Sequence, residues 1–283
     1  MSTSTISEGS RPVQAGRDPR GGRPSPVSRA RLASWAQRLG AFVVVLALWT
    51  WFAKTRGANA DFPTPLEAVD KLLQLVRTAT YWRAVGETTY TAVLGFLIAA
   101  LVGIPVGMLL GMSRRAQRST QFLVDFGRTI PVIAILPLAI LVLHIGRTMA
   151  VFLVFFGAIW PLLIQATYAV AQITPQARQV VRAFHLSRIE RIRFVYAPSM
   201  MPFLTTGLRI AASISLLMAV TAEFLGRAPG LGVVMRDSAD IDPHATFAYM
   251  FTAGVLGMLL NVALVALQKR VLWWHPSQRG KAR

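Results

Sequence analysis

Six continuous apolar runs constrain this chain more than any other feature. They cover roughly Trp35–Ala53, Thr88–Met112, Phe122–Ile145, Met149–Ala171, Leu204–Leu225 and Phe247–Leu267. Each approaches the roughly 20 residues that an α-helix needs to cross about 30 Å of hydrocarbon. Apolar and polar residues do not alternate along them, so strands of a membrane barrel are disfavoured. The expected fold is an all-α integral membrane bundle of six transmembrane helices. Composition agrees: 54% of the 283 residues are hydrophobic and only 15% charged. A soluble domain is nearer a quarter charged.

The formal charge is nevertheless +18, so the basic residues must crowd into the segments between the runs. Counting them orients the chain. With the N-terminus inside, the segments on that side hold 20 Lys and Arg and those on the other side hold eight. By the positive-inside rule both termini are expected in the cytoplasm of a multi-pass inner-membrane protein. Strong basicity alone could suggest nucleic-acid binding, but a DNA-binding face does not require long apolar runs, so no nucleic-acid partner is expected.

Three regions follow from this pattern. Residues 1–34, rich in Ser, Gly, Pro and Arg, read as a disordered basic cytoplasmic arm. A basic amphipathic stretch from Arg29 to Arg38 would meet anionic membrane lipid. Residues 35–271 form the transmembrane domain, with a long polar loop at about 172–202, and residues 272–283 a basic cytoplasmic tail. Ala58-Asn59-Ala60 imitates a signal cleavage site, but Lys54 and Arg56 separate it from the apolar run, so an uncleaved anchor is expected.

Catalytic and cofactor motifs are missing from the sequence. Without a G-x-x-x-x-G-K-[ST] loop, the chain is not expected to bind ATP by that device. Gly230-Leu231-Gly232, after Pro229, reads as a turn outside the membrane rather than a phosphate cradle. The histidines, His144, His185, His244 and His275, lack metal-ligand spacing, so no metal site is expected. There is no cysteine, which excludes disulfides and thiolate chemistry. A membrane-embedded enzyme would show clustered His, Asp or Glu at a membrane boundary, and none is visible. An ATPase-independent channel or secondary transporter remains the alternative to a pump subunit.

The polar loop reads as a basic helix through Arg178 and Arg182, a break near His185–Ser187, and a second helix from Arg188 to Val195. Pro198 and Pro202 mark entry into the next span. From periodicity it is either a solvated, lipid-facing loop or a docking element for a cytoplasmic partner. Ionisable residues in or near the spans form a second set: Asp125, Arg128, Arg209 and Glu223. A charge facing lipid costs a few kcal/mol, so such groups face a path or an interface unless they reach the headgroups. Headgroup level suits Asp125 and Glu223, and an inward position suits Arg128 and Arg209. Pro105, Pro131, Pro137 and Pro161 are expected to kink their helices. Gly103, Gly107 and Gly111, four apart, should stack on one face for close helix packing.

The order of motifs resembles the permease subunits of binding-protein-dependent ABC importers, in the branch for nitrate, sulfonate, taurine and bicarbonate. Phe62-Pro63-Thr64-Pro65, Gly103-Ile104-Pro105, Gly111-Met112-Ser113, Arg128-Thr129-Ile130-Pro131, Gly207-Leu208-Arg209 and Ala222-Glu223 with Gly230-Leu231-Gly232 carry the resemblance over about residues 35–275. The family's cytoplasmic coupling signature is E-A-A-x-x-x-G followed by a proline. Counted back from Pro198, it falls on Gln179, Val180, Val181 and His185, so its glutamate, alanines and glycine are all replaced, while Arg182, Ser187 and Arg188 fit. The resemblance implies that Gln179–Arg188 couples to an ATPase; the intramembrane charges Arg128, Arg209 and Glu223 are the candidates for a translocation path. It also implies a second, identical or similar permease, two separate ATPase subunits that bind the ATP, and a periplasmic solute-binding protein. The implied solute is small and anionic, of the sulfonate, nitrate or taurine kind.

Overall fold

The computed structural model describes residues 26–55 and 62–273, with the side chains of 26–36 and 38 outside that description. Most of the expected N-terminal arm, the Ala58-Asn59-Ala60 site and nearly all of the basic tail, including His275, therefore lie outside the described residues. The chain divides into two units, residues 1–51 and 52–283.

In the first unit the chain is helical from Pro26, where α1 (Pro26–Thr55) begins. The expected arm of 1–34 is thus too long, because residues 26–34 belong to the helix. Pro26 suits a first helical position, and the Ala, Arg, Leu and Gln that follow are good helix formers. The apolar part of α1 is Leu39–Thr55.

The second unit contains α2 (Pro65–Leu75), α3 (Ala79–Met112), α4 (Arg114–Thr129), α5 (Val132–Leu143), α6 (Arg147–Ala171), α7 (Pro175–Ala183), α8 (Arg188–Glu190), α9 (Ala197–Gly226), α10 (Leu231–Ser238) and α11 (Pro243–Val271). A π-helical turn, Arg191–Tyr196, joins α8 to α9. Starts are marked by residues that accept the free amides of a first turn. Thr64 and Glu67 form a reciprocal capping box at α2. Thr174 caps α7 ahead of Pro175, and Asp242 caps α11 ahead of Pro243. The Thr64 backbone and side-chain hydrogen bonds hold the Glu67 carboxyl below the usual carboxylate range.

Helices α3, α6, α9 and α11 are each long and apolar enough to cross a membrane. The third apolar run differs from a straight span. It breaks between α4 and α5, which meet at 86°. Ile130-Pro131 sits at the break: proline offers no amide to the helix, and it pushes the preceding residue to an extended backbone. Ile130 is extended, at φ −65° and ψ 119°. Pro105, Pro137 and Pro161 lie inside continuous helices. With α1, the spans and the bent pair make up the six expected segments.

The packing centre is α3 against α6, with α9 contacting both. Its contacts are made by small residues: Ala99, Ala158 and Ala211 are completely or almost completely buried together with Leu162. The glycine stripe of α3 faces α6. A methyl group on Gly103 would sit 3.2 Å from Ile159 Cγ1, and one on Gly111 would sit 2.8 Å from the Thr167 carbonyl oxygen. Gly107 approaches the Leu163 carbonyl even more closely. The Thr167 hydroxyl donates to the Gly107 carbonyl at 3.0 Å. Small residues and interhelical hydrogen bonds are what hold helices together where lipid offers no hydrophobic contrast. Large apolar side chains such as Leu101, Leu141 and Phe122 remain exposed, as lipid-facing surface requires.

The chain runs through α9 from the end of the bundle carrying α7 and α8 to the end carrying α10. At that second end α2 and α10 pack on α11 and on the start of α3. There Lys71 Nζ lies 2.6 Å from Asp242 Oδ2. Burial alone would raise the Asp242 carboxyl, but the hydrogen bonds from Lys71 and the Ala245 amide outweigh it and hold it below its ordinary value.

Candidate functional site

Between α6 and α9 the chain leaves the bundle as a helix, a tight turn and a second helical segment, in the order the sequence predicts. α7 ends at Ala183, and His185 holds φ 48°. This left-handed conformation normally favours glycine. Ser187 then caps α8, accepting from the Glu190 amide while Glu190 accepts from the Ser187 amide. Of the seven residues expected to couple, Gln179, Val180, Arg182, His185, Ser187 and Arg188 are exposed, whereas Val181 is buried. The turn thus keeps the shape that glycine would allow, without the glycine.

Two further residues in this element escape a motif-based reading. Phe184 is 74% exposed and Ile189 is 77% exposed, flanked by Arg178, Arg182 and Arg188. An arginine-rich segment does not belong in hydrocarbon. Large apolar side chains left exposed there mark an interaction surface.

The charged residues of the spans separate into three settings. Arg128 and Asp125 pair across one helical turn, with Nε–Oδ1 at 3.0 Å. Both line an open cavity bounded by α4, the end of α3 and α6. Arg209, in α9, is exposed and donates from Nε to Asn261 Oδ1 of α11 at 3.1 Å. It lines a shallow groove with Ser213 and Gln268. Among the described residues, Arg128 and Arg209 line separate cavities.

Glu223 is completely buried, so its carboxylate faces protein groups rather than an open cavity. Its Oε2 accepts from the Thr88 hydroxyl at 2.7 Å and from the Gly232 amide at 3.0 Å. The same hydroxyl accepts from the Leu231 amide at 2.8 Å. Thr88 and Glu223 thereby satisfy the first free amides of α10, where a carboxylate is also favoured by the helix dipole. Gly230-Leu231-Gly232 is consequently a helix start rather than a turn alone. Gly230, at φ 152°, lies so close to the Glu223 carboxylate that a methyl group would overlap it. The succession of Glu223 and the glycines seven and nine residues on was visible in the sequence, but their contact and the third partner, Thr88, were not.

No group of three His, Asp or Glu suited to a metal ion occurs among the described residues. What the bundle offers is a helical membrane domain with polar cavities and an exposed, arginine-rich segment between two spans, which fits a transport permease. Residues 103–272 match the family described as "Binding-protein-dependent transport system inner membrane component", and the chain belongs to that family. It is therefore a multi-pass inner-membrane permease subunit of an ABC importer, a transport component rather than an enzyme. The family works with ATPase and solute-binding components.

Individual relatives agree. The chain is 26% identical to the taurine transport system permease protein TauC of Escherichia coli (strain K12), covering 84% of this chain and 89% of the relative. It is 29% identical to the nitrate import permease protein NrtB of Leptolyngbya laminosa, covering 82% and 86%. Among solved structures, an inward-facing form of the MetNI methionine ABC transporter shares the fold. Its TM-score is 0.59 at 22% identity, over 68% of this chain and 96% of the solved one.

Proposed function

We propose that this permease imports a small solute bearing an acid group, of the sulfonate, nitrate or taurine kind, using ATP hydrolysed on a separate chain. In this reading the α7–α8 end faces the cytoplasm, as do both termini, and the α2–α10 end meets a periplasmic solute-binding protein. Two copies of the permease pair, and two ATPase subunits dock beneath them. ATP itself is bound by those subunits and not by this chain.

The observation that carries the reading is the α7–α8 element, with Phe184 and Ile189 exposed among arginines. An apolar anchor ringed by charge is the usual make-up of an energetic contact. A groove with acidic margins on the ATPase is its natural counterpart. Movement of that partner would be passed through Val181 and the π-helical turn into α9. Two alternating states with different partner contacts are enough for transport. Arg128 and Arg209 supply cationic positions within the bundle that suit an acid group.

Arg182→Glu tests the docking claim. It places a like charge against an acidic partner surface and removes an attractive contact. Expected are loss of ATPase co-purification and of uptake, with membrane insertion unchanged. A full complement of ATPase with Arg182→Glu would overturn it.

A further inference from the structure

Helix α2 lies outside the α3–α6–α9 packing centre and divides lengthwise into three faces. On the first, Ala68 is buried, and Leu72 and Leu75 pack against a cluster that includes Leu231 of α10 and Tyr249 of α11. On the second, Glu67, Asp70, Lys71 and Gln74 border an open cleft with Asp242 and His244. Polar groups of this face are engaged within the chain: Lys71 pairs with Asp242, and Gln74 donates from Nε2 to Asp70 Oδ2 at 2.9 Å. The third face is apolar. Its residues, Leu66, Val69 and Leu73, are three and four apart and so share one side of the helix; they are 82%, 48% and 58% exposed.

The attachment of α2 to α3 identifies what meets that face. The Trp82 indole N–H donates to the carbonyl of Val76, the C-cap of α2, at 2.8 Å. Trp82 heads a row on α3 that continues at helical spacing through Tyr90, Val93, Leu97 and Leu101, all 45–77% exposed. Such a row is the side a spanning helix turns to lipid. The end of α2 is therefore tied to the level where the lipid-facing surface of α3 begins. Arg77 and Arg83, both exposed, flank the indole in the chain, and Trp with Arg is the usual anchor at the headgroups. With 11 residues, α2 falls short of the roughly 20 that a crossing requires. We infer that α2 docks on the phospholipid leaflet at its end of the bundle, with Leu66, Val69 and Leu73 seated at the headgroup–acyl boundary and the Glu67–Gln74 face turned to water. A short helix with one apolar and one charged side binds a membrane surface in this way. Its packed face then holds α10 and the start of α11 at a fixed depth. The inference rests on the membrane-spanning fold, not on the solute or the ATPase.

The chain has no cysteine, so nitroxide labels can be placed one at a time. The full-length permease, with the subunits that co-purify, is reconstituted in nanodiscs of phosphatidylethanolamine and phosphatidylglycerol. Collision rates are measured with oxygen, which concentrates in hydrocarbon, and with a neutral nickel chelate, which stays in water. The oxygen-to-nickel ratio should be at least about fivefold higher for Leu66→Cys, Val69→Cys and Leu73→Cys than for Asp70→Cys and Gln74→Cys. It should remain below the ratio for Leu97→Cys, which lies deeper on the lipid-facing row of α3 and reports that the bundle is assembled. All of these side chains are exposed, so labelling them removes no buried contact. Equal ratios on the two faces of α2 would put Leu66, Val69 and Leu73 in water and overturn the inference. Shielding of those three positions from both reagents would put protein over them and overturn it equally.

Discussion

Replacing Thr88 by valine isolates the contact that fastens α10 to the bundle. The two side chains have nearly the same shape, so the change removes a hydroxyl without opening a cavity. That hydroxyl donates to Glu223 at 2.7 Å and accepts from the Leu231 amide at 2.8 Å. Thr88 and Glu223 are both fully buried, so water does not replace the lost partner. Thr88→Val strands one amide and deprives the carboxylate of one of its two donors. Its other oxygen, Oε1, already has no partner. At about 1–3 kcal/mol for each of these two buried groups, the cost is about 2–6 kcal/mol. Thr88→Ser keeps both hydrogen bonds and loses one methyl, about 1 kcal/mol. Thermal unfolding of the detergent-solubilised subunit, followed by size-exclusion recovery, should place Thr88→Val well below Thr88→Ser. The share of that cost owed to Glu223 should disappear when Glu223 is replaced by leucine, while the share owed to the Leu231 amide remains, as a double-mutant cycle would reveal. If Thr88→Val and Thr88→Ser melted together, the proposed fastening of α10 would be wrong.

Gly107→Val should drive α3 from α6 and cost at least about 1–3 kcal/mol, whereas Gly86→Ala, with open space around it, should leave the melting temperature unchanged or slightly raised. His185→Gly relieves a left-handed backbone that costs a side-chain-bearing residue about 1–2 kcal/mol. Uptake should be retained and thermal stability of the complex should not fall; a clear loss of uptake would show that the imidazole itself makes a contact. For topology, single cysteines at Arg115 and Ser187 should be shielded from an impermeant thiol reagent in intact cells, and cysteines at Thr80 and Ser238 should react. Reaction of Ser187→Cys from outside would invert the assigned orientation.

Helix existence was legible because it depends on local pattern. The apolar runs placed the cores of α3, α6, α9 and α11, and Thr174-Pro175, Ser187 and Asp242-Pro243 are cap signals readable from the chain alone. The 86° bend at Ile130-Pro131 was only half legible. A proline warns of a kink, but whether neighbouring helices hold the chain straight depends on packing that the sequence does not display. The α2 and α10 helices were missed for a related reason: each is short and amphipathic, and stability comes from α11 and α3 rather than from its own sequence. Glu223 illustrates the limit most clearly. Its rarity within a span marked it as important, yet its role depends on Thr88, 135 residues away. The α7–α8 segment was legible as a helix, break and helix, while Phe184 and Ile189 gained meaning only once their exposure was known.

Docking of an ATPase on the α7–α8 element is the central claim, and site-specific photo-crosslinking tests it most directly. A photoreactive phenylalanine analogue at position 184 should link the permease to the ATPase subunit in the assembled importer. The same analogue at Ile241, which is 85% exposed on the α2–α10 end, should give no such product. An ATPase cross-link from position 241 but not from position 184 would contradict the account.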